Sequence, residues 1–236
     1  MHVPIAWLRS GTYVVVALAR AGQVDRARAL TELLVRQDYY GGFGTEADAP
    51  GLAIWALTEV AAETGSGTYD RRIWPAVQRK ADAIAGLLRT RDTVRARVPN
   101  PIVPRYSEHP DNDVVATPPV DGLSRGRMVH GWPTYYVNAV SYLGLEQAAT
   151  LADRLDHADD AKRWRDLAAE IRAAWVRAFP GTGDENDRTY ITALWPSGIA
   201  AGPDVLPAFL RGLATRREAR NPGGEFRETP LVPGGL

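Results

Sequence analysis

Apolar residues spaced at three and four recur along most of this chain, and the runs are fenced by glycine or proline. Val24, Ala27, Leu30, Leu33 and Leu34 share one face of a segment at 23–37. Trp74, Val77, Ala81, Ile84 and Leu88 do so at 69–90, and Ala161, Trp164, Leu167, Ala168, Ile171 and Trp175 do so after Asp159. Such a period lays one apolar stripe along an α-helix. Val14, Val15, Ala17 and Leu18, between Ser10-Gly11 and Gly22, predict a helix over 11–21 despite their β-branched character. Asp48 followed by Pro50 predicts a helix start, an N-cap oxygen and then a proline where no amide donor is needed. That helix should run from Ala49 to about Glu63 and stop at Gly65. Pro133 opens a long helix at about 134–155, and shorter ones are expected near 187–195 and 204–218. No strand alternation stands out. About eight helices joined by short loops predict antiparallel hairpins stacked side by side, an all-α fold.

Residues 92–130 break this rhythm. They hold Pro99, Pro101, Pro104, Pro110, Pro118 and Pro119 and no helical period. Ile102, Val103, Tyr106, Val114 and Val115 need cover, so the stretch is expected to be an ordered loop lying across the same end of the array as Trp7 and Tyr39. Residues 1–220 then form one domain with 92–130 as a long inserted loop. Residues 221–236, rich in proline and glycine, are expected to form a loose tail.

Composition excludes several function classes. The 28 basic and 28 acidic residues cancel, which removes a bulk basic footprint for nucleic acid or an anionic membrane. The longest apolar run, Tyr13 to Ala19, is far short of the about 20 residues that cross a bilayer. The N-terminus lacks the pattern of a secretory leader, and a cytoplasmic protein is expected. The chain has no cysteine, which excludes thiol catalysis, disulfides and cysteine-ligated metals. No zinc-protease, phosphate-loop or nucleophile-elbow motif occurs.

Aromatic residues gather where loops meet helices: Trp7 before the first helix, Tyr39, Tyr40 and Phe43 before the third, Trp132, Tyr135 and Tyr136 around the start of the fifth, and Trp195 after the seventh. Their flat faces and polar edges suit sugar rings; bulky plugs at the end of a helical core would look the same. Arg9, Glu46, Asp48, Arg125, Arg127 and His130 stand beside them. Asp156, Asp159 and Asp160 superficially match a magnesium-binding acidic stretch of the isoprenoid-synthase kind, although Asp159 also reads as an N-cap. Asp184-Glu185-Asn186-Asp187 offers oxygens to a hard cation or is a solvated loop. Neither stretch is assigned a metal, and no cofactor is expected.

These residues together resemble the six-hairpin (α/α) barrel glycosidases of the glucoamylase type. Trp7-Leu8-Arg9 is similar to their W-x-R-D start, and Glu46 through Ala53 resembles their D-G-P-A segment. Tyr69 to Trp74-Pro75 resembles the start of the next outer helix. His130 through Ala152, with Tyr136-Val137-Asn138 and Gly144 to Ala149, reads like bacterial members of the group. The resemblance implies that Arg9 and Asp48 hold sugar hydroxyls in a terminal subsite with Trp7 as a wall. Tyr40, Glu46, His130, Trp132 and Tyr136 are further substrate-binding candidates. Ser10 departs from the pattern, standing where the family has an aspartate.

A full toroid of six hairpins needs twelve helices, roughly 350 residues at this spacing. The expectation is therefore a partial toroid, about eight of twelve helices, whose open face a homodimer would cover. Hydrolysis needs one carboxyl group to protonate the leaving oxygen and another to activate water, roughly 6.5–9.5 Å apart for inversion. Glu108 and Asp121, in the 92–130 loop, are the candidate acids. The function implied is a carbohydrate-processing protein resembling a glycoside hydrolase that cleaves a terminal sugar. The alternatives are a non-catalytic helical-hairpin module that binds a carbohydrate or a protein, and an isoprenoid-type enzyme built on the Asp156 turn.

Overall fold

The computed structural model describes residues 8–41, 44–98, 110–128, 131–180 and 190–220. Seven α-helices carry it: α1 (Leu8–Arg20), α2 (Val24–Arg36), α3 (Ala49–Thr64), α4 (Gly67–Arg89), α5 (Thr134–Arg154), α6 (Ala158–Ala178) and α7 (Leu206–Arg220). Their amphipathicity sorts them into two rows. In α3 almost every residue from Ala49 to Ala61 is buried, and α5 is nearly as enclosed from Tyr135 to Ala152. A helix apolar all round belongs in the middle of a structure. The outer helices α2, α4 and α6 bury one stripe each, such as Ile73, Val77, Ala81, Ile84 and Leu87 of α4. The inner row runs α1–α3–α5 by direct packing, and α2, α4 and α6 lie behind it. Ion pairs tie the outer helices together: Arg72 meets Glu32 between α2 and α4, and Arg89 meets Glu170 at 2.9 Å between α4 and α6.

Helices α3 and α5 cross in close contact. A Cβ on Gly51 would fall 2.3 Å from the Val140 carbonyl oxygen, and one on Gly144 would fall 2.7 Å from the Gly51 Cα. Backbone therefore touches backbone at this crossing, which a larger residue on either helix would prevent. At the far end of α3, Gly65 takes a left-handed φ of 60° and its amide donates to the Ala61 carbonyl at 3.1 Å, closing the helix.

Two expectations need correction. The stretch after α4 is not strand-free. It contains a three-stranded antiparallel sheet in the order β1 (Val94–Arg95), β2 (Val114–Val120), β3 (Leu123–Gly126). Pro118 and Pro119 disguise β2, because proline cannot donate to a ladder. They lie beyond the positions that pair with β1, where the β2–β3 register also shifts. The sheet packs against α4 and α5 through Val115, Ala116, Leu87, Val137 and Ala47, with Tyr39 at its edge. The described part of the insertion thus lies at the Tyr39 end of the array. The helix expected near 187–195 is, within the described residues, a 3-10 turn over Ile191–Ala193. Pro196 follows closely and cannot continue a helix. Tyr190 anchors this segment by stacking on Phe209 at 4.4 Å and accepting the Tyr135 hydroxyl on its carbonyl at 2.8 Å. Residues 221–236 lie outside the described residues.

Gly51→Ala and Gly144→Ala are each expected to cost about 1–3 kcal/mol by overpacking. The loss should appear as a lower urea midpoint with an unchanged slope. Gly86→Ala in α4 is the control: a Cβ there meets nothing within 4 Å, so the exchange should stabilise by about 0.5–1 kcal/mol.

Candidate functional site

The three inner helices begin at the same end of the array, and their first turns meet. Arg9 lies in the first turn of α1, Asp48 directly precedes α3, and Tyr136 lies in the first turn of α5. Arg9 Nε donates to Asp48 Oδ2 at 2.8 Å, and its Nη2 donates to Glu46 Oε2 at 2.7 Å. Its guanidinium carbon lies 5.7 Å from the centre of the Tyr136 ring. Both carboxylates are only 1% exposed, whereas the Arg9 side chain keeps 22%. The arginine therefore forms the accessible lid of a buried anionic pair. Asp48, expected to cap α3, makes no side-chain cap bond and has helical backbone angles. Its carboxylate turns to Arg9 instead, because a full positive charge outcompetes a backbone amide.

Burial alone would lower the Arg9 pKa, but the charges of Asp48 and then Glu46 outweigh it and the net shift is upward. Burial pushes the Tyr136 phenol well up; Asp48 adds to this and Arg9 opposes it. Tyr13, one turn after Arg9 on α1, is also raised by burial, with Tyr136 and Arg9 pulling the other way. Asp48 Oδ1 and the Tyr136 hydroxyl are buried without a hydrogen-bond partner among the described residues. Leaving such groups unmatched costs about 1–3 kcal/mol each. Two buried polar atoms without a hydrogen bond of normal geometry thus lie beside a guanidinium that reaches solvent.

The loop that carries Glu46 is held from three sides. A Cβ on Gly41 would fall 2.2 Å from the Glu46 side chain, so only glycine lets the carboxylate lie there. The Glu46 amide donates to the Tyr39 carbonyl at 2.8 Å, and the Ala47 amide donates to the Arg127 carbonyl at 2.9 Å. The buried Arg127 guanidinium donates to the Thr45 carbonyl at 2.8 Å and to Asn112 Oδ1 at 2.7 Å. Behind the loop, Lys80 is fully buried and donates to Asp38 Oδ1 at 2.7 Å and to the Gln37 carbonyl. Burial pulls its pKa down to about 8, more than Asp38 raises it. Only Lys80 and Lys162 among the 28 basic residues are lysines. At position 80 this chain has the residue that can shed its charge.

Of the residues named from sequence, Arg9, Glu46, Asp48 and Tyr136 come together. Tyr40 is buried behind them, bridged to Thr45. Trp132 is 41% exposed just before α5. Trp7, Glu108 and His130 lie outside the described residues. Asp121 occupies the β2–β3 turn with φ 54°, followed by Gly122 at φ 82°. This is the type I′ hairpin turn that Asp-Gly favours, so turn geometry accounts for the residue type there. Sequence reasoning missed Tyr13, whose i, i+4 relation to Arg9 was the available signal. It also missed Lys80, which sits in the apolar stripe of α4.

In the acidic turn, Asp160 is engaged by other side chains. Asp156 takes a left-handed φ of 61°, and Asp160 accepts from Arg163 at 2.9 Å and from Gln78 at 3.3 Å. Residues 184–187 lie outside the described residues. The neighbouring groove of about 430 Å³ between α4 and α6 is lined by charges of both signs, among them Asp159, Lys162, Arg163 and Glu170. It is not the deep apolar cavity that isoprenoid chemistry would need.

Removing Arg9 strands two buried carboxylates, so Arg9→Ala is expected to cost about 3–5 kcal/mol in denaturant unfolding. Arg9→Lys should recover only part, since an ammonium cannot fork between two acceptors. For Lys80, the folded value of about 8 lies below the ordinary 10.5. The unfolded chain therefore binds the extra proton between those values, and stability from this residue rises with pH across that window. Measured against Lys80→Met, the wild type should gain ground from pH 8 to pH 10. A pH-independent difference would show that Lys80 titrates normally.

No protein-family model, no curated protein and no solved structure matches this chain.

Proposed function

We propose that the Arg9 cluster is a sugar-hydroxyl subsite and that the protein processes carbohydrate, as the resemblance to glycoside hydrolases implies. The observation that carries this is the buried pair of unused polar atoms, Asp48 Oδ1 and the Tyr136 hydroxyl, beside an Arg9 that still reaches solvent. Both atoms are closed to solvent beneath Arg9, so a pyranose hydroxyl reaches them only when the Arg9 side chain moves aside; it would then donate to the former, accept from the latter and accept from the guanidinium as well. Paired, charge-assisted contacts of this kind discriminate strongly for a ligand that fills them. Exclusion of water from the carboxylates strengthens each contact.

Hydrolysis needs more than this grip. Both Glu46 and Asp48 give an oxygen to Arg9, which uses them as acceptors and not as proton donors. Asp121 sits at the tip of a hairpin, and Glu108 lies outside the described residues. Binding without rapid cleavage is therefore the second reading. It is favoured by the absence of a free carboxyl pair around Arg9 among the described residues. Proton transfer by a positioned group is worth about 10²–10⁴-fold, so a site lacking one such group turns over slowly.

Calorimetric titration with methyl glucosides and rhamnosides, beside a turnover assay on aryl glycosides, tests both readings. Tyr136→Phe removes a hydroxyl that lies beside Arg9 and Tyr13 but makes no hydrogen bond of normal geometry among the described residues. It is expected to leave stability intact and to weaken sugar binding by roughly 1 kcal/mol, about fivefold. Unchanged affinity in Tyr136→Phe and in Asp48→Asn would remove the subsite. Rapid turnover surviving both Asp48→Asn and Glu46→Gln would show that the chemistry lies elsewhere.

A further inference from the structure

Strand β3 is the last in the sheet, with β2 paired along one of its edges. A side chain closes the other edge. Asn138, on α5 and fully buried, accepts the Ser124 amide on Oδ1 at 2.9 Å and donates from Nδ2 to the Ser124 carbonyl at 2.9 Å. Exchange of both bonds with one residue is what a neighbouring antiparallel strand would provide. Asn138 Nδ2 also donates to the carbonyl of Thr134, the first residue of α5, at 2.7 Å. One amide thus spends both donors and its carbonyl on joining β3 to the start of α5.

Both sides of this junction lead to the Arg9 cluster. Tyr136 lies on the turn of α5 between Thr134 and Asn138. In the other direction β3 runs from Ser124 to Gly126, which has no room for a Cβ against Ala47 and Val137. The next residue is Arg127, whose carbonyl accepts the Ala47 amide at 2.9 Å. Ala47 stands between Glu46 and Asp48. We propose that Asn138 is a positioning residue for the cluster: it fixes the strand that holds Ala47 against the helix turn that carries Tyr136, and so sets where the two carboxylates meet Arg9. An amide is required, because a carboxylate lacks the two donors and an apolar side chain lacks all three groups. The inserted sheet is then part of the frame of the cluster. The inference goes beyond the sugar reading, since it concerns the ion pairs themselves and needs no ligand.

The reporter is the Arg9 Nε–H, which is bonded to Asp48 Oδ2; its NMR signal is identified by its loss in Arg9→Lys. In Asn138→Ala of the full chain, its exchange with water is expected to be at least about tenfold faster than in the wild type, with its shift moved toward that of an exposed arginine. Gly126→Ala, which wedges β3 away from Ala47, should produce the same two changes from the other end of the route. Ile73, in the first half of α4 and well before the Leu87 that meets the sheet, supplies the control. Ile73→Ala should lower the urea midpoint and leave the Arg9 signal in place. In the wild type itself, the Ser124 and Ala47 amides should be protected equally, to within about tenfold, as parts of one opening unit. An Arg9 signal unchanged in Asn138→Ala would overturn the proposal, whatever the loss of stability. An equal rise in exchange in Ile73→Ala would overturn it as well, because general loosening would then be the cause. Should Asn138→Ala not fold, Gly126→Ala and the wild-type amides decide, and an unchanged Arg9 signal in the one or unequal protection in the other would overturn the route.

Discussion

The backbone contact between α3 and α5 at Gly51 and Gly144 governs the rest of the architecture. Two helices that touch without side chains between them come closer than the usual 8–10 Å. Their remaining faces are then covered by α1, α2, α4, α6 and the sheet. The enclosed sequences of α3 and α5 are the counterpart of this contact: only helices surrounded on every side bury Leu52, Ile54, Trp55, Leu57 and Val60 together. A bulkier residue at either glycine would separate the inner row and open the core it encloses.

The same contact places the site. Because α1, α3 and α5 begin at one end, residues from three separate parts of the chain converge within one turn of each helix start. Helix N-termini carry partial positive charge, and two buried carboxylates, Glu46 and Asp48, are found at this end. Arg9 then completes the neutralisation with a fork that only a guanidinium provides. The result is a polar cluster buried deeply enough for its contacts to be strong, yet open through the one side chain that reaches solvent. Arg127 and Lys80 act one layer back. They hold the loop carrying Glu46 by its carbonyls and by Asp38 and Asn112, not by touching the cluster.

Arg9, Asp48 and Tyr136 are set at the starts of α1, α3 and α5. The two carboxylates that meet at Arg9 both accept from it, and the hairpin tip at Asp121 is explained by its turn. The sheet contributes otherwise: Gly126 lies flush against Ala47, where a Cβ would fall 2.2 Å from the alanine methyl, so β3 backs the loop that carries both carboxylates.

The helices were legible because their signal is local. Apolar spacing of three and four, with a glycine or proline at the ends, placed six of the seven helices within a few residues, and α7 near its observed span. The sheet was hidden because Pro118 and Pro119 mask a strand, even though Asp121-Gly122 is a hairpin turn in its own right. Arg9, Glu46, Asp48 and Tyr136 could be named from their neighbours in sequence, but their partners could not. Asp48 reads locally as a cap and is instead claimed by an arginine 39 residues earlier. Tyr13 lies within an apolar run and gains its place from Trp55, Tyr136 and Trp195, all far along the chain. Local spacing determines which segments coil and which face of each is apolar, since those depend on bonds within a few residues. Which charges pair, which polar atoms are left unmatched and which ring faces solvent depend on helices meeting across long stretches of chain, and only the packed structure decided them.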